Sequence, residues 1–151
     1  MINRILPAQI DNSYKGSKIA LLFFALVILV KTLQCLFAIF NGYDIAISAD
    51  GIPLDTFSAV GIQAFVAVFA LSSFVRLILV SLSVLVLLRY RSAIPFMFVV
   101  LMIDYLGRRM ILSFLPLPNV GTPIGPIVNF ILFGLMIVGF VLSLRRSVGA
   151  A

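Results

Sequence analysis

FSAVGIQAFVAVFALSSFVRLILVSLSVLVLLRYRS, residues 57–92, opens with 32 mostly apolar residues holding one charge, Arg76, and closes on the basic turn Arg89-Tyr90-Arg91-Ser92. A helix needs about 20 apolar residues to cross a bilayer, so this run spans with length to spare and must tilt or protrude. Four residues permit only a reversal, so the next run, 93–115, returns antiparallel as a helical hairpin. Pro95 falls in its first turn, where proline is tolerated. Upstream, residues 17–40 form another apolar run that stops at Asn41-Gly42, and Asp55 and Thr56 are candidate caps for the second span. Downstream, residues 116–126 hold four prolines and two glycines and read as a loop before a last run, 127–144, closed by Arg145-Arg146. The expected fold is an all-α membrane protein, a four-transmembrane-helix antiparallel bundle forming one domain over 17–144. Residues 1–16 and 145–151 flank it, and for 1–16 a short interfacial helix and a frayed tail fit equally.

Composition supports this reading. The 151 residues are 63% hydrophobic and 11% charged, well beyond soluble usage, and the four runs leave no room for a soluble domain. The net charge of +6 comes from bases that mostly flank the runs, the pattern of membrane orientation and headgroup contact and not of a nucleic-acid-binding face. His and Glu are absent and Cys35 is the single cysteine, so the usual metal and haem ligands, an internal disulfide and a Cys-x-x-Cys redox pair are excluded. No cofactor or metal is expected, and Cys35 reads as a small core residue. The run after Lys18 is longer than a signal-peptide h-region, which predicts a retained helix.

Orientation follows from the bases. Arg4, Lys15, Lys18, Arg89, Arg91, Arg145 and Arg146 fall on one side, whereas the other holds Asp44, Asp50, Asp55 and the proline loop without Lys or Arg. The positive-inside rule then places both termini in the cytoplasm of a bacterial-type inner membrane.

Charged side chains within a span cost about 2.5–3.5 kcal/mol each and need a reason. Lys31, Arg76 and Asp104 each lie 13 residues from a basic flank, Lys18, Arg89 and Arg91 respectively. At about 1.5 Å per residue they share one level, roughly 20 Å from that flank. One turn further out stand Gln34, Ser72, Ser73, Arg108 and Asn129, and spacings of three or four residues align the two layers. The expectation is a two-layer polar core centred on Asp104. Asp104 either neutralises Arg76 across the hairpin or belongs to an anion site, and it cannot balance Lys31, Arg76 and Arg108 alone. Arg109 points about 100° from Arg108 and snorkels outward.

The remaining polar features are weaker. Asp44, Asp50 and Asp55 lack the alternate spacing of a calcium loop; Asp50-Gly51 reads as a turn. Tyr43 and Tyr90 suit interfacial anchors, whereas Tyr105 suits either a hydroxyl donor or lipid-facing filler. Gly121 and Gly125 have Gly-x-x-x-Gly spacing but fall in the loop, and Gly134 and Gly139 are too far apart for one tight face. No internal repeat is present.

The first functional expectation is a non-catalytic accessory or assembly subunit of a larger membrane complex, with lipid and other membrane subunits as partners. The alternative is a small transporter or binding protein for an anion or anionic lipid, using Lys31, Arg76 and Arg108. An intramembrane enzyme fits least, since no second carboxylate, His or thiol stands at the depth of Asp104. In outline, four helices with a first outer loop of this length resemble the DoxX-like group of small bacterial membrane proteins. That resemblance is architectural and implies no residue role.

Overall fold

The computed structural model describes residues 5, 7, 9–14 and 16–145. Besides a helical Ile5, the described residues form five α-helices in order: α1 Lys18–Phe40, α2 Gly42–Ser48, α3 Ala59–Arg89, α4 Ile94–Phe114 and α5 Ile124–Leu144. Short 3-10 turns at Leu54–Thr56 and Arg91–Ala93 complete the regular structure, and no strand occurs among the described residues. Among the described residues three helices, α1, α3 and α5, are long and apolar enough to cross a membrane. α4 is as long as α5, 21 residues, but carries Asp104, Arg108 and Arg109.

Local chemistry sets the ends. Ser17 caps α1 by accepting from the Ile19 amide at 3.3 Å. The cap of α3 is Ser58, whose Oγ accepts from the Gly61 amide at 3.1 Å, in place of the expected Asp55 or Thr56. Those two residues lie instead in the 3-10 turn before it. Asn41 ends α1, but the chain turns straight into α2, so the expected helix stop is a junction between two helices. α5 begins at Ile124, three residues before the expected 127, because Pro126 fits the first turn, where no amide donor is needed.

α1 is the central element. Its buried residues Ala20, Phe24, Val27, Ile28, Lys31, Cys35 and Ala38 run along the whole helix, facing α3 and α5. By contrast α3 buries only Ser73, Val80 and Ser83, and burial in α4 stops at Leu101. α4 packs mainly on α5 and far less on α3. The hairpin expected of the second and third runs is therefore continuous in sequence but loosely packed in space. Near the connector the Phe24 and Phe98 rings meet edge-on with centroids 5.0 Å apart, a contact worth about 0.5–1.5 kcal/mol beyond its buried area. Phe98 also lies over Gly139, where a Cβ would come within 2.5 Å of the ring, so close approach of α4 and α5 requires a glycine there.

Exposure is inverted relative to a soluble protein. Leu71 and Phe130 are 66% and 67% exposed while Lys31 is 2% exposed.

Residues 9–14 form no helix and dock across one end of the bundle. The Asp11 carbonyl accepts from the Ser92 amide at 3.2 Å and from Ser92 Oγ at 2.9 Å. Gly16 abuts the last turn of α5, with Ser17 donating to the Leu142 carbonyl at 3.3 Å. Tyr14 packs on the apolar core, and burial pushes its hydroxyl up to about 12. For residues 9–14 docking replaces both the interfacial helix and the frayed tail; Ile5 is helical, and residues 1–4, 6, 8, 15 and 146–151 lie outside the described residues.

At the opposite end Ala46, Ile52 and Leu54 make a second small core with Phe57, Ile62, Phe65 and Val66. The two loops there are stitched together. Val120 donates to the Gly51 carbonyl at 2.7 Å, and Gly125 donates to the Ala49 carbonyl at 2.8 Å. Gly51 has φ +67°, and a Cβ on it would sit 2.8 Å from the Val120 carbonyl oxygen.

Candidate functional site: a basic cluster between the helices

The inward stripe of α1 carries Lys31, and the helices around it bring three more charges within electrostatic reach: Arg76 of α3, and Asp104 and Arg108 of α4. Cys35, one turn beyond Lys31, feels the same four groups. Lys31 and Arg76 make no ion pair or hydrogen bond among the described residues. Arg76 is partly buried and Lys31 is enclosed.

Asp104 is committed within its own helix. Its Oδ2 accepts from Arg108 Nη2 at 3.1 Å, and Arg108 Nε reaches the Asp104 carbonyl at 3.4 Å. The expected ion pair to Arg76 across the hairpin is absent among the described residues. The reason is geometric: residues four apart share a helix face, so the short aspartate side chain finds Arg108 without leaving α4. α3 packs mainly on α1 and α4 on α5, so that carboxylate has little of α3 against it.

The second polar layer divides. Ser73 is buried and Ser72 exposed, and both hydroxyls donate to the Phe69 carbonyl at 2.8 Å. Asn129 is half-buried and donates to the Gly125 carbonyl at 3.0 Å. Gln34 is half-buried on α1. Of this layer only Arg108 joins the charged cluster; Ser72, Ser73 and Asn129 satisfy their own backbone. Tyr105 stacks on Phe133 with centroids 4.6 Å apart, so it packs against α5 and makes no hydroxyl contact among the described residues.

The residue that sequence reasoning missed is Asp50. Read as part of a turn, it is half-buried over the cluster, where burial raises its pKa and Arg76 and Arg108 pull it back down. The turn at Gly51 and the stitching of Gly125 to Ala49 hold it there. Charge balance was the available signal, since three cations against one carboxylate call for an acid from outside the long helices. With Asp50 ionised, Lys31, Arg76 and Arg108 face Asp50 and Asp104, and one positive charge remains.

Compared with protein-family models, with curated proteins and with solved structures, the chain matches none of them.

Proposed function

We propose that this is a four-crossing membrane protein with both termini cytoplasmic, whose basic cluster binds a small monovalent anion. α4 makes the fourth crossing. Asp104 and Arg108 neutralise each other within it, and Arg109 lies close enough to its end to snorkel. Lys18, Arg89, Arg91 and Arg145 gather at the shared end of the spans, which supports a cytoplasmic placement. Arg4, Lys15 and Arg146 extend the same bias in sequence.

One observation carries the anion reading. Lys31 is 2% exposed beside Arg76 and Arg108, and the nearest carboxylate is already paired with Arg108. Burying like charges together is costly, and a bound anion offsets that cost directly. The role proposed for the cluster is binding or conduction. Titration of detergent-solubilised protein with chloride, nitrate or formate, with gluconate holding ionic strength constant, should give a saturable rise in Tm. Arg76→Gln should abolish the rise and Arg145→Gln should keep it; a flat response of the wild type contradicts the reading.

A second reading is favoured by a different surface. Residues 109–122 are exposed without a break and include Met110, Ile111, Phe114, Leu115, Leu117 and Val120. A contiguous apolar surface that runs from a helix end into a loop suits an accessory subunit docked on a larger membrane complex. Native mass spectrometry after gentle extraction decides this: a reproducible partner chain supports it, and a lone chain opposes it.

A further inference from the structure

Near the proline loop, Tyr105, Leu106, Arg109, Pro126, Phe130 and Phe133 line an open groove of about 440 Å³ between α4 and α5. The stacked Tyr105 and Phe133 rings give it a flat aromatic wall. Arg109 is its one charged residue, exposed and without an ion pair or hydrogen bond among the described residues. Arg108 is turned toward Asp104, and successive helix positions diverge by about 100°, so Arg109 is directed away from the basic cluster.

Depth identifies the occupant. Arg109 precedes the end of α4 by five residues, about 8 Å along the axis. If α4 crosses the bilayer, as proposed above, that is close to the lipid phosphates. Phe130 and Phe133 lie further along α5 from its outer end, at acyl-chain depth. A single guanidinium above an aromatic channel complements an acidic amphiphile, and guanidinium binds phosphate oxygens in pairs. We infer that the groove is a binding site for an acidic phospholipid, with the phosphate on Arg109 and one acyl chain along Tyr105, Phe130 and Phe133.

The chain has no tryptophan, which makes the test direct. Phe130→Trp places a single fluorophore in the groove. Phe74→Trp serves as the control, because Phe74 is exposed on α3 and precedes Arg89 by the same 15 residues that separate Phe130 from Arg145. Each variant is reconstituted in phosphatidylcholine vesicles with increasing phosphatidylglycerol brominated on its acyl chains. The site requires half-maximal quenching of the groove tryptophan at an about fivefold lower mole fraction than the control. Adding Arg109→Gln should erase that preference, and adding Arg76→Gln should leave it. Equal quenching at both positions, or no preference for phosphatidylglycerol over brominated phosphatidylcholine, overturns the site and leaves the crossings standing. Quenching of the control alone means that protein covers the groove, and also overturns the site. Quenching at neither position overturns the crossings and the site together.

Discussion

Asp104 Oδ2 and Arg108 Nη2 lie 3.1 Å apart on successive turns of α4, and this pair occupies the α4 carboxylate that acts on Lys31 and Arg76. The side chains are 22% and 32% exposed, so the pair is neither a free surface contact nor fully desolvated. It holds one cation in check, and with Asp50 set against the other two a single positive charge is left for a ligand.

Because the pair is local, reversing it should be tolerated. Asp104→Asn should lower stability by about 1–3 kcal/mol through loss of a charged hydrogen bond. The exchange Asp104→Arg with Arg108→Asp should recover much of that, whereas Asp104→Arg with Arg76→Asp should recover little. Thermal denaturation in detergent reads all three, and better rescue by the Arg76 exchange would mean that the bridge spans α3 and α4.

Lys31→Met removes a buried cation while keeping the shape of the stem. Stability without anion should stay level or rise by up to about 4 kcal/mol, as when other buried charges are replaced by apolar groups. The anion-dependent rise in Tm should shrink at the same time. A variant that is less stable yet keeps the full anion response would show that Lys31 serves packing alone.

The seam between the loops should respond to a single methyl group. A Cβ on Gly125 would lie 2.5 Å from Asp50 Oδ1, and one on Gly51 would add positive-φ strain to its contact with Val120. Gly125→Ala and Gly51→Ala should each cost about 1–3 kcal/mol. Gly134→Ala, with nothing within 4 Å of its Cβ, should be neutral or slightly stabilising. Limited proteolysis of 115–123 should accelerate in the first two variants and stay unchanged in the third.

Asp50 gives a pH dependence of known sign. Burial raises its folded-state pKa, with Arg76 and Arg108 opposing, so the folded protein holds this proton more tightly than the unfolded chain does. Its contribution is present in full below the ordinary aspartate value of about 4 and is lost as pH rises through the elevated one. Melting curves of wild type and Asp50→Asn should therefore differ in slope over that window, the wild type losing stability with rising pH relative to the variant. Parallel curves would mean that Asp50 is not buried over the cluster.

Much of this was legible in the chain because hydropathy and helical rise are one-dimensional. The apolar runs give α1, α3 and α5 nearly their observed limits. What failed needs three dimensions. The partner of Asp104 depended on how far α3 and α4 diverge after Ser92, which no spacing reports. Ser58 displaced Asp55 as the cap because the chain makes a 3-10 turn first. Asp50 reached the cluster only because α2 folds the loop back and Gly51 and Gly125 allow it to close, and its sequence context is that of an ordinary turn.

Crystals soaked in bromide, measured at the bromine absorption edge, test the anion-binding core most directly. A monovalent anion held by the basic cluster predicts an anomalous peak between Lys31 Nζ and the Arg76 guanidinium, absent from crystals of Arg76→Gln. An empty cluster with the Asp50 carboxylate bonded to Arg76, or peaks confined to surface bases such as Arg89 and Arg145, would contradict it.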